Sequence, residues 1–129
     1  MLDFVVLFKL KHISGSCCWK VRVGFSVIND ANTQWIHALG NYRKESTLCN
    51  GKPHYTSYGA SGANAIWYEP TEPSGWMIGA SSERGSTTGY AYNPNNYNCP
   101  YDAAYDWKYY NRYNNWADAG QGLSIWNKC

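Results

Sequence analysis

The chain of 129 residues lacks any apolar run of membrane-spanning length. Its opening run, Phe4-Val5-Val6-Leu7-Phe8, is cut off by Lys9 after five residues. A transmembrane helix needs about 20, so no membrane span is expected. The same stretch makes a poor secretion leader, because Asp3 stands where positive charge belongs and Lys9 and Lys11 shorten the apolar region. Charge of one sign is scarce too. A net charge of +2 is too small to imply a nucleic-acid partner, and there is no P-loop, dinucleotide glycine motif or basic stripe. Charge is nonetheless uneven: residues 1–52 carry seven Lys/Arg against three Asp/Glu, and residues 53–129 carry four against six.

Catalytic grammar is also missing. A nucleophile needs a base beside it and a third group to orient that base. His12, His37 and His54 stand near no such signature. An acid–base pair for glycoside cleavage would have to come from Glu69, Glu72, Glu83, Asp102, Asp106 and Asp118, of which four fall in or beside expected loops. Zinc would need a fourth ligand beyond His12, Cys17 and Cys18, and residues 93–102 lack the alternating aspartates of a calcium loop. The expectation is a chain that is not an enzyme and uses no metal and no cofactor.

Phenylalanine is sparse, with three Phe against seven Trp and twelve Tyr. Rings with a polar tip suit cores whose edges meet water, and they also suit recognition surfaces. Five cysteines, at 17, 18, 49, 99 and 129, without metal-ligand spacing point to an oxidising compartment, with one left unpaired or intermolecular. Adjacent Cys17 and Cys18 do not bridge each other without strain. The preferred bridge is Cys99–Cys129, whose loop of about 30 residues would contribute roughly 3–4 kcal/mol. Five reduced thiols in a cytosolic protein are the alternative.

What the chain has in quantity is strand and turn. Residues 65–79 place Ala65-Ile66-Trp67-Tyr68 and Trp76-Met77-Ile78 around a loop with two prolines, a serine and a glycine, which predicts a hairpin. Trp19-Lys20-Val21-Arg22-Val23-Gly24-Phe25-Ser26-Val27 alternates, with Trp, Val and Phe on one face. A second strand is expected over 35–42, an Asn50-Gly51 turn before the run His54–Tyr58, and a short strand Tyr90-Ala91-Tyr92 with both tyrosines on one face. Over 102–113 a helix competes with a strand, and the strand is preferred for Trp107-Lys108-Tyr109-Tyr110. Leu123-Ser124-Ile125-Trp126 reads as the last strand. The fold class is all-β: a small antiparallel sandwich or barrel of about seven to nine short strands.

Gly40-Asn41-Tyr42, Asn50-Gly51-Lys52-Pro53-His54-Tyr55, Trp76-Met77-Ile78-Gly79, Cys99-Pro100 and Trp107 occur in an order that resembles a little-characterised repeat-type β-module of large multidomain and secreted eukaryotic proteins. The resemblance covers 35–129 and implies a small non-catalytic module. Residues 1–34 fall outside it, as leader strands or an extension whose membership is left open. Tyr113-Asn114-Asn115-Trp116, Gly120-Gln121 and Trp126-Asn127-Lys128-Cys129 more weakly resemble the end of a C-type lectin domain. That likeness lacks the Glu-Pro-Asn or Gln-Pro-Asp triplet, and Lys128 replaces a wanted Asp.

Residues 93–113 concentrate five asparagines, two aspartates and six tyrosines. Rings stack on the C–H faces of sugars and amides meet hydroxyls; the same mixture suits a protein surface. The candidate ligand-binding residues are Asn95, Asn96, Tyr97, Tyr101, Asp102 and Tyr113. The expected function is an extracellular module that recognises a glycan or a protein surface, with no nucleic acid and no membrane span. A structural matrix or coat component without soluble ligand is the alternative.

Overall fold

The computed structural model describes residues 17–25, 38–58, 63–71, 74–102, 106–119 and 123–127. Among the described residues nine antiparallel strands form one sheet curled into a half-barrel. They are β1 (Lys20–Phe25), β2 (Gly40–Cys49), β3 (Lys52–Ser57), β4 (Asn64–Glu69), β5 (Gly75–Ala80), β6 (Ala91–Asn93), β7 (Lys108–Tyr110), β8 (Trp116–Asp118) and β9 (Leu123–Asn127). Eight of them run as a meander from β1 to β8. The chain then returns to the far edge, where β9 pairs with β1. Lys20–Phe25, left open by the sequence, therefore lies inside the sheet between β2 and β9.

The expected hairpin over 65–79 is β4–β5, in register from Asn64↔Ala80 to Glu69↔Gly75. The Glu69 carboxylate holds the turn by accepting from the backbone N–H and the hydroxyl of Thr71. Asn50 and Gly51 form the two-residue connection from β2 to β3 with φ of 53° and 83°. Those values are what a twist-matched hairpin turn requires, and glycine accepts them without a Cβ clash.

Alternation decides which face each residue takes. Val21, Val23, Tyr42, Tyr55, Ile66, Trp76, Ile78, Ala91, Tyr109, Leu123 and Ile125 share the main core with Trp107 on the inner face. Ala65, Trp67 and Met77 form a smaller cluster on the outer face, with Tyr92 and Cys49 packed against it. The β5–β6 connection covers that cluster, where Trp67 Nε1 donates to the carbonyl of Ser86 at 3.0 Å. Strands β4 and β5 are thus buried on both faces, which explains why Ile66-Trp67 and Trp76-Met77-Ile78 are continuously apolar.

Several expectations need correction. Cys99 is bonded to Cys17, not Cys129, and residue 129 lies outside the described residues. The curl of the sheet brings the loop after β6 against the start of β1, and a linear reading gives no warning of that. Cys18 is also disulfide-bonded, whereas Cys49 is free. Trp19 does not join Val21 and Val23 inside; it is 53% exposed. At its level the inner side is filled by Cys17–Cys99 and by Tyr55, whose hydroxyl donates to the carbonyl of Cys18 at 2.6 Å. Tyr90 and Tyr92 take opposite faces, Tyr90 against the main core and Tyr92 against the outer cluster. Residues 100–102 form a 3₁₀ turn, and the preferred strand appears as β7.

Candidate functional site

The loop after β6 carries five of the six candidate residues. Asn93 ends β6 buried, and its Oδ1 accepts from the backbone N–H of Asn95 at 3.0 Å and from Asn95 Nδ2 at 2.9 Å. Such a local turn is what Asn-Pro-Asn favours. The carbonyl of Tyr97 accepts from Trp76 Nε1 at 2.9 Å and Lys52 Nζ at 2.8 Å, which fastens the loop to the starts of β5 and β3. Burial lowers the Lys52 pKa, and its ammonium also lies 4.6 Å from the Tyr68 ring centroid.

Much of the loop's polar capacity is therefore used within the fold. Asn96 and Asp102 are exposed, and Tyr97 is 41% exposed. Tyr101 is half-buried against the main core, and its hydroxyl accepts from the backbone N–H of Cys18 at 3.2 Å. Asn95, Asn96, Tyr97, Tyr101 and Asp102 share the one loop after β6. Tyr113 stands apart. It occupies the β7–β8 turn, 62% exposed, with Arg112 stacked 5.1 Å from its ring centroid. The loop lies at the Gly75 end of β5 and the β7–β8 turn at the Ala80 end, about 17 Å away along the strand.

A cleft of about 460 Å³ opens beside that turn. It is lined by Ala80, Glu83, Thr88, Gly89, Tyr90, Tyr110 and Asn114. The Asn111 side chain builds the turn by accepting from the backbone N–H groups of Tyr113 and Asn115, and Asn114 takes a φ of 63°. Tyr110 is held by Trp116, whose ring meets it edge-on at 5.1 Å. Glu83 accepts a 3.3 Å hydrogen bond from the hydroxyl of Ser86. The Tyr–Asn–carboxylate mixture expected of residues 93–113 recurs here, assembled from the β5–β6 connection and the β7–β8 turn. The 81–89 half of it is separated in sequence from the Tyr/Asn concentration, so composition alone does not reveal it.

Chemistry elsewhere is limited. No group of three or more His, Cys, Asp or Glu is arranged to hold a metal among the described residues. No helix among them is long and apolar enough to cross a membrane. His54 sits in an outer-face network. Arg84 Nη1 donates to its Nδ1 at 2.9 Å, so its Nε2 carries the proton and donates to Thr47 Oγ1 at 2.9 Å. Burial first, then the Arg84 charge, lower the His54 pKa, with Glu45 opposing. Arg84 Nη2 also donates to Thr56 Oγ1 at 2.8 Å, an arrangement that buttresses the β5–β6 connection against β3. The Cys49 thiol is pushed up by burial, which makes it a poor nucleophile.

Comparison of the chain with protein-family models, curated proteins and solved structures gives no match.

Proposed function

We propose that this chain is a non-catalytic, extracellular recognition module that binds carbohydrate in the cleft beside the β7–β8 turn. The observation that carries the reading is the cleft lining: Tyr90 and Tyr110 with Asn114, Glu83 and Thr88 around about 460 Å³. Tyrosine rings offer flat faces to sugar C–H groups, and the amide, carboxylate and hydroxyl groups match sugar hydroxyls. A concave volume of that size accommodates a small ligand better than it accommodates a protein surface. The Cys17–Cys99 bridge supports an oxidising compartment.

A glycan-array screen with the full chain, multimerised so that avidity raises weak affinities, tests this reading. A coherent family of bound glycans is expected, and Tyr110→Phe, Glu83→Gln and Asn114→Ala should each reduce the signal while the protein stays folded. Loss through Tyr97→Ala alone would move the site to the loop after β6. A blank array with concentration-dependent self-association would favour the structural or coat role instead.

A further inference from the structure

The opposite flank of the sheet carries a second surface, and its argument is independent of the cleft. On the outer face of β9, β1, β2 and β3, Arg22 stands opposite Trp126, Lys20 opposite Arg43, and Arg43 opposite Thr56. Three cations thus gather on neighbouring strands. Among the described residues the ion pair is Lys108–Asp118, between β7 and β8 at the opposite edge of the sheet, and none of these three cations has a described acid within ion-pair distance. Glu45 lies further along the outer face of β2, where its charge is felt by His54.

Exposed rings frame the cations. Trp126 is 50% exposed and Tyr58 43% exposed. Lys20 Nζ lies 4.8 Å from the Trp19 ring centroid and 5.9 Å from that of Tyr58, and Arg43 Cζ lies 5.7 Å from Tyr58. The indole of Trp126 extends across Gly24, where a Cβ would overlap its Cζ3 and Cη2 atoms. The glycine lets the ring lie over β1. From β9 to β3 the surface spans about 14 Å.

We infer that this face binds an acidic polysaccharide, its sulfate or carboxylate groups meeting Lys20, Arg22 and Arg43 while sugar rings stack on Trp126 and Tyr58. Charge complementarity selects a polyanion, and arginine's planar fork suits sulfate and carboxylate. The disulfide-forming compartment favours an acidic glycan over nucleic acid. The exposed rings add a stacking role that simple charge attraction does not need.

Binding of the full chain to heparin, measured by titration calorimetry at two salt concentrations, tests the inference against uncharged dextran and a single-stranded DNA oligonucleotide. Heparin should bind, more weakly at the higher salt, and dextran should not. The triple variant Lys20→Gln, Arg22→Gln, Arg43→Gln should lose about tenfold or more in affinity. Trp126→Ala should lose about fivefold. Gly24→Ala removes no charge and no ring; it should displace the indole and weaken heparin binding without lowering the thermal midpoint. Undiminished binding by the triple variant overturns the proposal, as does tighter binding of the DNA than of heparin. Full affinity in both Trp126→Ala and Gly24→Ala overturns the assignment of the rings.

Discussion

Gly75 and His54 illustrate how single residues are constrained by neighbours distant in the chain. Gly75 opens β5 with φ of 135°, and a Cβ there would overlap the carbonyl of Asn93 on β6. Gly75→Ala combines backbone strain with a clash against main chain that cannot rotate away. It should cost about 3 kcal/mol or more, read from denaturant unfolding. An unchanged midpoint would mean that β6 can retreat. His54 must be neutral to accept from Arg84, and its pKa is lowered in the fold. The unfolded chain therefore binds more protons near its ordinary pKa of about 6.5. The stability contributed by neutral His54 is complete above that pH and is lost as pH falls through the lower folded value. Thermal midpoints should decline on acidification below about pH 6.5, and His54→Gln should flatten that decline.

At the scale of elements, turns and tethers fix where strands end. The β2–β3 turn depends on Gly51 at φ of 83°, and Asn50 Nδ2 donates to the carbonyl of Tyr68 at 2.9 Å, tying the turn to β4. Gly51→Ala should destabilise by about 1 kcal/mol, measured by urea unfolding. The segment before β1 is held from several sides. Lys44 Nζ donates to the carbonyl of Cys17 at 3.0 Å, Tyr55 donates to Cys18, and Tyr101 accepts from Cys18. Tyr101→Phe keeps the ring against the core and removes only that acceptor, which should cost about 1 kcal/mol. A loss of glycan binding in this variant without any loss of stability would instead assign the hydroxyl to a ligand.

For the whole molecule, closure across the sheet matters most. Cys17–Cys99 spans 82 residues and links the start of β1 to the loop after β6. In the chain-entropy model such a loop contributes about 4.5 kcal/mol. Cys17→Ala with Cys99→Ala should show a loss of that order in denaturant unfolding. Residues 20–25 supply the strand to which both β2 and β9 pair. Deleting residues 1–34 should therefore abolish cooperative unfolding, because β9 loses its pairing strand and the core loses Val21 and Val23.

Much of the architecture was legible locally. Alternation in Lys20-Val21-Arg22-Val23, the Asn50-Gly51 pair and the loop chemistry around β4–β5 depend on neighbours two to six residues apart, so the sequence alone determined an antiparallel all-β chain. It also held the charge excess of the first 52 residues. Tertiary structure decided what no local pattern encodes. The curl of the sheet brought Cys17 to Cys99, and the pairing of β1 with β2 on one side and β9 on the other turned Lys20, Arg22 and Arg43 into one surface with Trp126 and Tyr58. The β5–β6 connection brought Glu83 and Thr88 to Asn114, while Tyr113 went to the end of the sheet opposite Tyr97. Strand pairing sets such neighbourhoods across tens of residues, and composition along the chain records the ingredients without their order in space.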